Sequence, residues 1–146
     1  MTTDRLDLSA LRRAITSLEQ SIAIISNEVW FQQQSDAMQN TLRAGAIQNF
    51  EFVYEISIKM IRRQLELEAA SPADIDTSSF RDLMRRAGEK GLIDDVHAWF
   101  NYRHMRNLTA HTYDQAKAKE VYASSLTFAD AARALLDALA ARHDRG

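Results

Sequence analysis

Turn-forming residues are scarce in this sequence: its 146 residues include one proline and four glycines. A β-sandwich or barrel needs a turn every 8–12 residues or so, usually marked by Gly, Pro or Asn-Gly. The chain cannot supply them, which nearly excludes an all-β fold. No glycine-rich strand-to-helix turn is present either, which argues against a doubly wound α/β fold. An all-α fold remains, an up-and-down bundle of four to five helices. The apolar share of 46% and charged share of 26% suit a globular core. The length fits one domain over residues 1–146. With no cysteine, disulfides, thiolate nucleophiles and thiolate zinc sites are excluded. No apolar run is long enough to span a membrane. Met1-Thr2-Thr3-Asp4-Arg5 leads into an amphipathic segment instead of a short apolar block, so no signal peptide and a cytoplasmic location are expected. The net charge of −2 (18 − 20) gives no bulk argument for nucleic-acid binding; local clustering would have to supply it.

Apolar spacing places the helices. Leu8, Leu11, Ile15, Leu18, Ile22, Ile25 and Val29 form one stripe with Asp7 as N-cap, extended by Trp30 and Phe31. A break is expected within residues 32–36, with Ser35 or Asp36 capping a second helix over about residues 37–70. That helix carries two stripes, one of Ile47, Phe50, Tyr54, Ile58, Ile61 and Leu65, the other of Val53, Ile56, Met60 and Leu67. The resulting wide apolar face suits a central helix. Ala70-Ser71-Pro72 ends it, and a loop through Asp76, Thr77 and Ser78 follows. Ser79 and Asp82 have capping-box spacing for a short third helix, which Gly88 or Gly91 stops. Asp94 or Asp95 caps a fourth helix, the last begins near Asp114, and the tail Arg142-His143-Asp144-Arg145-Gly146 should fray.

Chemistry concentrates in Asn101-Tyr102-Arg103-His104-Met105-Arg106-Asn107-Leu108-Thr109-Ala110-His111-Thr112-Tyr113, at the boundary of the fourth and last helices. On a straight helix, Arg106 and His111 point about 140° apart. They converge only if the helix ends or kinks between them, which β-branched Thr109 and Thr112 mildly favour, or through copies from a second subunit. Arginine offers a planar donor fork for phosphate oxygens, and histidine exchanges a proton near neutral pH. Together they suit RNA cleavage by the adjacent 2′-hydroxyl, with His moving protons and Arg stabilising charge on the phosphoryl oxygens. The bland alternative is a polar turn in which both residues cap helix ends.

Arg106-Asn107, three residues, then His111-Thr112-Tyr113 resembles the R-x4-H-x-Y motif of the HEPN superfamily. Residues 48–59, Gln-Asn-Phe-Glu-Phe-Val-Tyr-Glu-Ile-Ser-Ile-Lys, resemble the QxFEFxxExxxK signature of one branch, and Gly91-Leu92-Ile93-Asp94-Asp95 followed by Trp99 resembles a third segment of it. That branch is the nucleotidyltransferase substrate-binding protein family, which includes HepT-type toxins; the resemblance spans about residues 8 to 140. It implies a HEPN-like homodimer that brings two motifs to one cleft and acts as a metal-independent endoribonuclease toxin needing no cofactor. It implies a cognate small nucleotidyltransferase as antitoxin, adding AMP to the motif tyrosine, here Tyr113, with RNA as substrate. Arg106 would bind phosphate, His111 would act as acid–base residue and Asn107 as a positioning donor. The competing reading is a non-catalytic substrate- or nucleotide-binding subunit of a two-component nucleotidyltransferase; a third is an inert helical adaptor.

Glu51, Glu55 and Lys59 lie four apart on one helix face. Periodicity alone favours a solvated stripe; their place in the signature implies that they face the cleft and orient Arg106 or His111. Arg103, one turn before Arg106, could hold phosphate or pair with the second helix. His97, His104 and His111 are each seven apart, about 10.5 Å per step on one helix, too far for a shared metal. Arg81, Arg85, Arg86 and Lys90 read as a basic helix face, solvated or tracking an RNA backbone. Trp99, Phe100 and Tyr102 read as core or dimer contacts.

Overall fold

The computed structural model describes residues 6–143, and among these the regular structure is entirely helical. Four helices form the bundle: α1 (Ser9–Ser26), α3 (Asp36–Glu68), α6 (Val96–Leu108) and α7 (Gln115–His143). Three shorter ones complete it: α2 (Glu28–Gln32), α4 (Pro72–Asp76) and α5 (Phe80–Glu89). A 3₁₀ turn, Thr109–His111, joins α6 to α7. The order is up-and-down. Asn49 donates to Ser21, and Ile25 packs with Ala46, so α1 and α3 are antiparallel. Phe50 meets Phe128, and Gln64 bonds His143, so α3 and α7 run the same way.

Most helix ends follow the expected caps. Ser35 accepts from Met38 N–H, Ser79 from Asp82 N–H and Asp95 from Ala98 N–H. The expected Asp7 cap is displaced by one residue: Leu8 holds the N-cap position without a side-chain bond, and Asp7 before it accepts from the Ser9 backbone and hydroxyl. Of the two candidate glycines, Gly91 stops α5, with φ +75°. Gly91 N–H bonds the Gly88 carbonyl and Leu92 N–H the Ala87 carbonyl, the paired bonds of a Schellman cap. Leu92 is thereby turned into the core.

The expected boundaries fail in three places. The first stripe stops at Asn27, not after Val29, because Asn27 caps a separate helix by accepting from Trp30 N–H. Val29 is consequently 76% exposed, and Trp30 is partly exposed while Phe31 is buried. Pro72 does not merely end the second helix; it occupies the first turn of α4, where its missing N–H costs nothing. At the far end the tail does not fray at residues 142–143. The Arg142 guanidinium reaches Glu68 at 3.2 Å and the Lys90 carbonyl, and His143 bonds Gln64. Residues 1–5 and 144–146 lie outside the described residues, and with them the expected N-terminal start and the last three of the tail.

The α3 helix, about 50 Å long, is central and packs on α1, α4, α5, α6 and α7. Its first apolar stripe is buried except for half-buried Ile58; from the second, Val53 and Met60 are buried but Leu67 is 41% exposed. The core centres on Phe128 of α7, fully buried. Edge-to-face contacts join it to Phe50 at 5.0 Å, Trp99 at 5.6 Å and Tyr102 at 4.9 Å, with Tyr54 at 6.3 Å. One ring therefore ties α3, α6 and α7 together, and such contacts add about 0.5–1.5 kcal/mol per pair beyond burial. Phe128→Ala is expected to cost about 3–5 kcal/mol, read as a fall in urea midpoint, with part of the loss surviving in Phe128→Leu because edge-to-face geometry goes.

Candidate active site

The aromatic core sets the site. Phe50 and Tyr54 turn inward from α3, which leaves Glu51 and Glu55 on the flank facing α6. Tyr102 and Met105 turn inward from α6, which carries Arg106 to the same flank. Arg106 meets the two carboxylates there. Its Nε and Nη2 both donate to Glu55 Oε1, at 3.2 and 2.5 Å, and Nη1 lies 3.7 Å from Glu51 Oε2. Nη1 also donates to Thr109 Oγ1 at 3.1 Å, and that hydroxyl donates back to the Arg106 carbonyl at 2.6 Å. Three of the five guanidinium N–H groups are thus engaged among the described residues, and a third of the side chain is exposed. The Glu55 carboxylate holds the Arg106 pKa above its usual value, against the opposing effect of burial.

Between Arg106 and His111 the α-helix ends. Leu108 closes α6, Thr109–His111 tightens into 3₁₀ geometry, and Thr112 Oγ1 donates back to the Thr109 carbonyl. Three residues of 3₁₀ winding do not by themselves turn His111 back toward Arg106, and no hydrogen bond joins the two among the described residues. His111 is exposed, and its ring stands edge-on to Tyr113 at 6.0 Å. Tyr113 is itself 80% exposed. Asn107 is exposed on the last turn of α6.

The remaining candidates separate. Lys59 is exposed and, among the described residues, makes no ion pair or hydrogen bond, unlike Glu51 and Glu55 on the same face. Arg103 does not pair with α3; its guanidinium lies over the Phe80 ring at 4.5 Å. The basic face of α5 splits in two. Arg81 stacks over Phe100 at 4.5 Å and Arg85 sits 4.0 Å from Asp82, whereas Arg86 and Lys90 turn toward the α4 side. Trp99 and Tyr102 are core residues; Phe100 is half-buried on this surface. His97 packs its edge on Phe100, and the end of α6 at Leu108 keeps His111 off the helix that carries His97 and His104. Among the described residues no three His, Asp or Glu side chains gather as metal ligands, and no helix is long and apolar enough to cross a membrane.

Two residues at the site escape a pattern-based reading. Thr109 supplies an oxygen to Arg106, a role foreshadowed only by its i+3 position and the tendency of hydroxyls to bond the preceding turn. Tyr54 belongs by its spacing to the core stripe, yet the charges of Arg103 and Arg106 both reach its phenol.

Residues 6–141 match the family described as "Nucleotidyltransferase substrate binding protein like". The chain belongs to this family. It is 48% identical over 143 residues, 98% of each chain, to a Haemophilus influenzae protein named "Probable ribonuclease HepT". A solved Haemophilus influenzae structure, described as revealing the fold of a substrate-binding domain of a nucleotidyltransferase, superposes with a TM-score of 0.89 at 48% identity, covering 91% of this chain and 98% of that one. A crystal structure from Thermus thermophilus superposes with a TM-score of 0.61 at 25% identity, over 84% and 98% of the two chains. The HEPN/HepT resemblance of the motif is therefore carried by the whole chain, fold included.

Burial pushes the Tyr54 pKa up to about 12, more than offsetting the two guanidinium charges. Its folded value exceeds its unfolded value near 10, so its contribution is intact below pH 10 and lost as pH rises through 12. Urea unfolding of Tyr54→Phe across pH 9–12 is expected to retain about 2 kcal/mol of the stability that the parent protein loses.

Proposed function

We propose that this protein is a metal-independent endoribonuclease toxin, active as a homodimer. The observation that carries the reading is Arg106, held by Glu55, Glu51 and Thr109 at the break in α6, with exposed His111 on the 3₁₀ turn beyond it. In this reading His111 exchanges the proton of the attacking 2′-hydroxyl or the leaving oxygen, Arg106 offers its free donors to the phosphate and Asn107 positions it. One motif copy carries two carboxylates against one guanidinium, a poor setting for a phosphate. A second copy across a twofold axis would bring another Arg106 and His111 to the cleft, so that one guanidinium could hold the phosphate while the other copy's imidazole moves the proton. The Haemophilus influenzae relative's name, a probable ribonuclease, supports the same assignment.

Regulation would fall on Tyr113. Its exposure makes the phenol accessible to a transferase, and AMP added there would set a phosphate and a base beside His111. The partner is proposed to be a small nucleotidyltransferase acting as antitoxin. The competing reading, a non-catalytic subunit that presents substrate or nucleotide to such a transferase, is favoured by the description of the solved Haemophilus influenzae structure.

Purified protein incubated with RNA in excess EDTA separates the two. The expected outcome is cleavage that resists the chelator, leaves DNA intact and falls by about 100-fold or more in His111→Ala. A wild-type protein that leaves RNA uncut but binds nucleotide or the transferase would sink the nuclease reading. AMP transfer by the partner, followed as mass addition, is expected on the wild type and absent from Tyr113→Phe.

A further inference from the structure

Two groups of arginines in this molecule differ sharply in their surroundings. Arg106, Arg133 and Arg142 donate to carboxylates, with Arg133 2.5 Å from Glu19 and Arg142 3.2 Å from Glu68. Arg81 and Arg103 are exposed and have no ion pair or hydrogen bond among the described residues. Each stacks on a ring borrowed from the other's helix: Arg81 of α5 over Phe100 of α6, and Arg103 of α6 over Phe80 of α5, both at 4.5 Å. The two rings are half-buried and tilted against each other at 6.2 Å.

A contact between a guanidinium and a ring uses none of its five N–H donors for hydrogen bonding, and among the described residues neither arginine has a hydrogen-bond partner. The contact also restricts the long side chain before any ligand arrives, which lowers the entropy lost on binding. Arg43 shows the contrasting case: it also lies over a ring, Phe31, but is buried and donates to Asn40. Position then links the exposed pair to the motif. Arg103 precedes Arg106 by three residues on α6, about 4.5 Å along the axis and on neighbouring faces. The phenol of Tyr54 feels both charges.

We propose that Arg81 and Arg103 form a phosphate track that carries the backbone of single-stranded RNA from the Arg106–His111 site across α6 onto α5. Arg103 takes the phosphate next to the site and Arg81 one further along. Contacts of this kind hold any sequence, since they read the backbone and not the base edges. The proposal rests on the ribonuclease reading for the identity of the strand.

The test uses the full chain with His111→Ala to prevent cleavage, and a fluorescent 12-nucleotide single-stranded RNA followed by anisotropy over a salt series. Adding Arg81→Gln and Arg103→Gln is expected to weaken binding roughly ten-fold at low salt. The slope of log affinity against log salt should fall by about 1.4, two phosphates at about 0.7 each. Lysine at both positions keeps the charge and is expected to restore most of the slope. In the cleavage-competent protein the glutamine pair should raise KM for a long RNA several-fold more than KM for a dinucleotide. An unchanged affinity and slope would overturn the track, and so would lysine variants that bind as poorly as the glutamine ones, since that marks the stacks as mere helix fasteners. A protein that binds RNA through these residues but never cuts it would instead refute the nuclease reading alone.

Discussion

The ring of Phe128 fixes the relative placement of three helices at once. It touches Phe50, Trp99 and Tyr102 edge-on, so α3, α6 and α7 cannot rotate about their axes without breaking a contact whose geometry is directional. Rotation is what the motif region is most sensitive to. Glu51 and Glu55 sit one position beyond Phe50 and Tyr54, and Arg106 sits four beyond Tyr102, so the inward aromatics determine where the outward charges go. The polar site is in this sense the reverse side of the aromatic core.

The electrostatics of the flank follow from that placement. Two carboxylates around one guanidinium keep Arg106 charged and directionally held, and Thr109 closes the arrangement from the far side of the helix end. The carboxylates also repel any anion that approaches. Positive charge for a bound anion must therefore come from groups that these carboxylates do not already engage.

Much of the fold could be read from spacing and composition because helices of this length write their burial pattern at intervals of three and four. The caps at Ser35, Ser79 and Asp95 and the stop at Gly91 were all visible as residue types whose side chains or φ freedom suit a helix end. The two five-residue helices were not. A single turn has too few residues to show a period, and Asn27 and Pro72 mark a boundary without saying that a new helix starts there. At the site, Arg106, Glu51 and Glu55 could be grouped only through the family signature, since α3 and α6 are 51 residues apart where they meet. The arginine–phenylalanine stacks were invisible because their partners alternate between two helices, and no single-helix pattern reports a pair of that kind.

Winding changes where α6 gives way to the 3₁₀ turn. Beyond Leu108 each residue advances the chain by about 120° instead of 100°. One residue more or fewer between Arg106 and His111 would swing the imidazole by a third of a circle, and no adjustment of side-chain rotamers could return it. A change of residue at exposed Ala110 is therefore far easier for this molecule to absorb than any change in the count between Arg106 and His111.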